Sequence, residues 1–275
     1  MRSCPCYGPR MQPQGKCPSM RPHCVAAVMI LLLPAGAYGQ PDCNGWRNRN
    51  FWNVASAEDV DRCLRTGIDI KARDRDGRTL LHYAARWGRP DTVRALLDAG
   101  TDIEARDVNG QAPLHLANTW GNSGVDANDT IRALLEAGAD IEARAAEGRT
   151  PLHLAVEQGR FWAIRKLLAA GAHVEARDAD DRTPLHLAAR GGDAGTIQAL
   201  LDAGGFIESL DSDGLTPLYW AAGSGTPGAV RALLDAGAYA GARIAGGTFP
   251  ADFAEGNERV RNDPVFWELN DARWR

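Results

Sequence analysis

Four histidines, His82, His115, His153 and His186, stand between apolar residues in matched settings: LLHYA, PLHLA, PLHLA and PLHLA. Imidazole is a metal ligand and a general base, so a recurring histidine first raises metal binding or catalysis. The four recur with the chain's own repeat, at separations of 33, 38 and 33 residues. Equivalent positions on packed helices lie one helix-packing distance apart, ~8–10 Å. Ligand nitrogens must come within ~2.0–2.1 Å of one zinc ion. A ladder of this kind cannot converge on a metal, and two of its rungs cannot form a catalytic dyad. A second recurring set, Glu104, Glu142, Glu175 and Glu208, contains no pair that stands out as acid and base. The sequence has no GxSxG, no HExxH and no phosphate-cradling glycine loop beyond its repeat punctuation. The expectation is no catalytic residue, no metal and no cofactor.

The elements that carry these residues follow from self-comparison. TLLHYAA (79–85), APLHLAN (112–118), TPLHLAV (150–156), TPLHLAA (183–189), TPLYWAA (216–222) and FPADFAE (249–255) begin 33, 38, 33, 33 and 33 residues apart. Each of the first five continues to an apolar pair and a glycine, as in ALLDAG (199–204). Thr183 followed by Pro184 suits the start of a helix, because proline's missing N–H would be unpaired there anyway. Ile197, Leu200 and Leu201 form the apolar stripe of a second helix, and Gly204 stands just past its end. FIESLDSDGL then reads as an extended arm with a turn at Asp211 to Gly214. Asp181 replaces the turn glycine of the other arms. Two such helices cannot bury their apolar faces alone, so the units must stack.

Six units in one register resemble the ankyrin repeat over about residues 50–255. The resemblance implies an all-α solenoid of paired short helices with extended, β-hairpin-like arms. It also implies a structural role for the histidines, which hydrogen-bond the loop and the motif threonine in Thr79/His82, Thr150/His153 and Thr183/His186. At His115 the threonine partner is missing, since Ala112 has no hydroxyl, and Tyr219 and Asp252 replace the imidazole altogether. A binding surface made by the arms and the first helices is implied as well. Two features fall on it. The arms align Arg73, Arg106, Arg144, Arg177 and Arg243 beside Asp74, Asp107, Asp178 and Asp211. Trp87 and Trp120 occupy matched sites, preceded by Arg86 and Thr119. Arg86, Trp87, Thr119, Trp120, Arg106, Arg144 and Arg177 are therefore the candidate partner-binding residues. The alternative for the arginines is exposed ion pairing between arms; for the tryptophans it is packing on the next repeat. Phe161 and Trp162 are assigned to the core.

The first 39 residues stand apart. They carry Arg2, Arg10, Lys16 and Arg21, no acidic residue, an apolar run Val25 to Leu33, and small residues Ala37 and Gly39 before Gln40. The run falls short of the ~20 residues a membrane-spanning helix needs. It reads as a secretory signal peptide, with a retained anchor as the alternative and Met1, Met11 or Met20 as the start. Residues 40–78 form an N-terminal cap and partial repeat. Residues 79–248 hold five repeats with a surface-loop insertion at 122–127, and 249–275 hold a degenerate repeat and capping helix. Beyond residue 39 the chain has 27 Lys+Arg against 35 Asp+Glu, a charge of −8 that argues against a nucleic-acid partner. Cys43 and Cys63 are the cysteines outside the leader, expected as a disulfide, with two free thiols as the alternative. Asn128-Asp129-Thr130 is a glycosylation sequon. The resulting expectation is an exported, monomeric, non-enzymatic protein-binding module, periplasmic and free of the membrane once cleaved. The alternatives are a secreted effector that binds a host protein and an enzyme with a cryptic carboxylate site.

Overall fold

The computed structural model describes residues 42–87, 89–117 and 125–272, with side chains throughout except at 125–129. The expected leader, Thr119 and Trp120 lie outside the described residues. Within them every regular element is helical. A 3-10 turn (Cys43–Arg47) leads into α1 (Arg49–Val54) and α2 (Ala57–Arg65). Five helix pairs follow: α3 (Leu80–Trp87) with α4 (Pro90–Asp98), α5 (Pro113–Ala117) with α6 (Val125–Glu136), and α7 (Pro151–Glu157) with α8 (Phe161–Ala169). The last two are α9 (Pro184–Gly191) with α10 (Ala194–Asp202) and α11 (Pro217–Ser224) with α12 (Pro227–Asp235). The chain ends in α13 (Pro250–Glu255), α14 (Glu258–Arg261) and α15 (Val265–Asp271).

None of these helices would persist alone, since isolated helices shorter than ~12–15 residues are marginal in water. Stacking supplies the missing stability. The first helices contact one another in the series α3, α5, α7, α9, α11 and α13, and the second helices in the series α2, α4, α6, α8, α10 and α12. The first leucine of every apolar pair, at 96, 134, 167, 200 and 233, is completely buried. Its neighbour is only half-buried. Each fully buried leucine contributes ~1.5–3 kcal/mol. Gly204 takes φ 92°, the left-handed conformation that lets α10 turn into the next arm without a Cβ penalty. Asp181 adopts φ 57° where the other arms have glycine.

The arms are hairpin-like, closed by Asp178 N–H donating to the Arg182 carbonyl at 3.0 Å and by its counterparts in the other arms. Their tips are stitched in register. Val108 N–H donates to Asp76 O at 2.8 Å, Ala146 to Asn109 at 2.8 Å, Ala179 to Glu147 at 2.7 Å, and Ser212 to Asp180 at 3.0 Å.

Both ends of the stack are covered. Cys63 occupies the position of the first leucine in α2 and is buried; its Sγ is at disulfide-bonding distance from Cys43, with the Cα atoms 5.2 Å apart. Trp52 is fully buried and its indole N–H donates to the Trp46 carbonyl at 2.5 Å. Trp46 in turn meets Tyr83 edge-on at 5.6 Å. At the other end Val260, Val265 and Leu269 are fully buried, and the Asn257 side chain donates to the Ala222 and Gly225 carbonyls at 3.0 and 3.1 Å.

Two expectations are corrected. The insertion at 122–127 is not wholly a loop, because residues 125–127 form the first turn of α6, which has 12 residues where α4 has 9. The Asn128 sequon therefore lies in α6. Trp162 is 61% exposed and does not belong to the core. The buried face of α8 is Ala163, Ile164 and Leu167, and that choice turns position 162 outward.

Candidate partner-binding surface

The histidine ladder joins each repeat to the next. His186 Nδ1 accepts from the Thr183 backbone N–H at 3.1 Å and lies 2.9 Å from the Thr183 hydroxyl. Two donors on Nδ1 place the ring proton on Nε2, which lies 3.0 Å from the Leu215 carbonyl of the next arm. The same pair of contacts recurs at His82, to Thr79 and Gln111, and at His153, to Thr150 and Arg182. His115 keeps both contacts, to the Ala112 N–H at 3.1 Å and the Arg149 carbonyl at 3.2 Å, without a hydroxyl. Each imidazole thus starts its own helix and clasps the following arm. All four rings are completely buried, and burial lowers their pKa, at His115 to about 4.

The two departures divide this double task. Tyr219 donates its hydroxyl to Thr248 O at 2.7 Å, the matching carbonyl of the following arm, but its side chain does not serve the Thr216 hydroxyl, whose buried Oγ1 has no partner among the described residues. Asp252 accepts from Phe249 N–H at 2.7 Å and starts α13.

The arm arginines also serve the joints. Nη1 of Arg106 donates to its own turn at Gly110 O and to Arg144 O of the next arm, both at 3.0 Å. Arg144 does the same to Gly148 and Arg177, and Arg177 to Asp181 and Leu210. These contacts are to backbone carbonyls, not the ion pairs between arms that charge alone suggested. The aspartates face inward. Asp178 Oδ1 accepts from Asp180 and Arg182 N–H at 3.0 and 2.9 Å, fixing its own turn. Arg243, in the last arm, lies over the Phe249 ring at 4.7 Å instead.

A third ladder was visible as a pattern but not as a function. Glu104, Glu142, Glu175 and Glu208 each reach the following repeat and accept from a backbone N–H: Asp140 at 2.8 Å, His173 at 2.8 Å, Phe206 at 2.9 Å and Tyr239 at 2.7 Å. The constant register carried that signal. Each of these carboxylates is thus engaged at a joint between repeats.

What lies outside the ladders is the surface that differs from repeat to repeat. Trp87 is half-buried, 5.3 Å from the Tyr83 ring, with the Arg86 guanidinium 4.7 Å from its own ring centroid. Arg86 Nε is buried without a hydrogen-bond partner among the described residues, and burial lowers the guanidinium pKa. Tyr83 donates to Asp74 Oδ2 at 2.6 Å; burial first, and that carboxylate second, push its pKa up to about 12. Trp220 makes the equivalent bond from Nε1 to Asp211 Oδ2 at 2.8 Å, with Arg182 5.8 Å from its ring. An aromatic donor at this helix position, aimed at the arm aspartate, was not foreseen from the sequence. The candidate residues therefore separate into two groups. Arg86 and Trp87 form one cluster, whereas Arg106, Arg144 and Arg177 form the staple between arms. Among the described residues no group of three or more His, Cys, Asp or Glu could hold a metal ion, and no helix is long and apolar enough to cross a membrane.

The family model described as Ankyrin repeats (3 copies) matches residues 52–145, 107–178 and 170–244. The crystal structure of the human ASB11 ankyrin repeat domain is similar at a TM-score of 0.67 and 21% identity, over 82% of this chain and 96% of that one. That likeness concerns the fold alone. No curated protein sequence matches the chain.

Proposed function

We propose, from the premise that this chain belongs to the ankyrin-repeat family, that it is an exported, non-enzymatic module that binds a protein partner. The observation that carries the reading is the Arg86–Trp87 cluster. The matched His, Arg and Glu side chains spend hydrogen-bonding groups inside or between repeats, while Arg86 keeps a buried Nε without a partner among the described residues, beside a half-buried tryptophan. Arginine and tryptophan are the residues that most often dominate interface energetics. The partner lies against the arms and first helices near α3, and the module acts as a periplasmic scaffold or inhibitor. Export is supported by the basic and apolar character of residues 1–39 and by the Cys43–Cys63 pair, since disulfides persist in oxidising compartments.

Affinity capture from the native compartment, comparing wild type with Trp87→Ala, tests the surface. Loss of one specific protein with Trp87→Ala is the expected result; equal recovery of every protein by both would remove the surface. Fractionation of producing cells tests the compartment. Protein found only in the medium would favour a secreted effector over a periplasmic scaffold.

A further inference from the structure

The glutamate ladder has one gap. The register that places Glu104, Glu142, Glu175 and Glu208 puts Lys71 at the corresponding position of the first arm. In the four later joints a carboxylate reaches across to the N–H of Asp140, His173, Phe206 or Tyr239. At the first joint the corresponding N–H belongs to Asp102, and among the described residues it donates to nothing. The residues around it enclose a cleft of ≈ 390 Å³ lined by Ile70, Lys71, Arg73, Thr101, Asp102 and Ala105.

The second joint shows what this geometry holds. There Glu104 accepts from Asp140 N–H at 2.8 Å through one oxygen and meets Arg106 Nη2 at 3.2 Å through the other. Arg73 repeats the pose of Arg106, with Nη1 donating to the carbonyls of Gly77 and Arg106 at 2.8 and 2.7 Å. Among the described residues its Nη2 has no partner and Lys71 makes no ion pair. The nearby carboxylate of Asp102 does not block an incoming one. Asp140 carries the same group, turned back onto Glu142 N–H at 2.9 Å, and still receives Glu104. Asp102 turns back in the same way, onto Glu104 N–H at 3.0 Å. An unpaired N–H, a free guanidinium edge and an added ammonium converge where the later repeats supply their own carboxylate.

We propose that this cleft is a carboxylate-binding site, taking from outside the chain the group that Glu104, Glu142, Glu175 and Glu208 supply to the later joints. The inference does not rest on the partner surface at Trp87. A glutamate side chain and the carboxyl end of a polypeptide are two sources of one chemistry. They can be separated by titrating the ¹⁵N-labelled chain with N-acetyl-glutamate methylamide, with N-acetylglycine, with the glutamine analogue of the first, and with inorganic phosphate. The Asp102 amide proton is expected to move downfield and saturate with one or both carboxylates and to stay put with the glutamine analogue. Lys71→Glu fills the site from within. Its Asp102 amide should be shifted before any addition, and its carboxylate affinity should fall at least about tenfold, the loss expected for a charge-assisted contact. Lys71→Met, which leaves the site open but removes the ammonium, should weaken binding without that initial shift. An Asp102 amide indifferent to both carboxylates would overturn the proposal. So would stronger binding of phosphate than of either carboxylate, or a Lys71→Glu chain that binds like wild type.

Discussion

Lowering the pH from 7.5 to 5 should weaken this fold well before its carboxylates titrate. His82, His115, His153 and His186 are buried, and each Nδ1 accepts from a backbone N–H while each Nε2 faces a carbonyl. A proton on Nδ1 would destroy the acceptor that starts the helix. Burial accordingly lowers all four pKa values, at His115 to about 4 from an ordinary value of 6.5. Above pH 6.5 both the folded and the unfolded imidazole are neutral, and the stabilisation is complete. Between 6.5 and 4 the unfolded chain binds protons that the folded chain refuses, so stability falls with pH. For His115 alone the loss by pH 5 is about 2 kcal/mol, at about 1.4 kcal/mol per unit. The other three add to it in the same direction. Asp59 and Asp74, whose pKa values are lowered in the folded chain, lose their contribution only below the ordinary carboxylate range. Denaturant unfolding followed by far-UV circular dichroism at pH 7.5, 6.5, 5.5 and 5.0 measures the slope, and the histidine Cε1–H resonances report the site. Unchanged stability from pH 7.5 to 5, or His82, His115, His153 and His186 titrating near 6.5 in the folded chain, would refute the argument.

Further outcomes follow from the packing. Leu167→Ala removes a fully buried side chain from the middle of the stack and should cost about 2–5 kcal/mol in denaturant unfolding. Reduction of Cys43–Cys63 opens a loop with a sequence separation of 20 and should cost on the order of 3 kcal/mol, seen as a lower Tm with reductant. Asp181→Gly relieves the φ of 57° and should raise stability by up to about 1 kcal/mol; a decrease would mean that the weak contact to Arg177 at 4.0 Å outweighs the backbone.

The repeat was readable because one stacking solution reuses the same residues. Pro184 at a helix start, the leucine pair and the closing glycine are local requirements, and they reappear at fixed spacing. The histidine role followed from the same register. The sequence could not say where a long polar side chain ends. Glu142 and Glu175 looked like a solvated row, yet each crosses to a neighbouring backbone N–H contributed by a residue 31 positions away. The arm arginines looked ready for ion pairs between arms and instead reach across the joint to carbonyls, because the next arm brings one within 2.7–3.0 Å. Trp162 was misplaced because α8 has more apolar residues than its buried face can take.

The division of labour between joints and surface can be tested with one captured partner, by measuring its Kd and the Tm of the module for two variants. Trp87→Ala should weaken binding at least tenfold, about 1.4 kcal/mol, and change Tm little. Thr183→Ala, which removes a hydroxyl 2.9 Å from His186, should lower Tm while leaving Kd unchanged. A Trp87→Ala chain that binds like wild type, beside a folded Thr183→Ala chain that does not bind, would contradict the account.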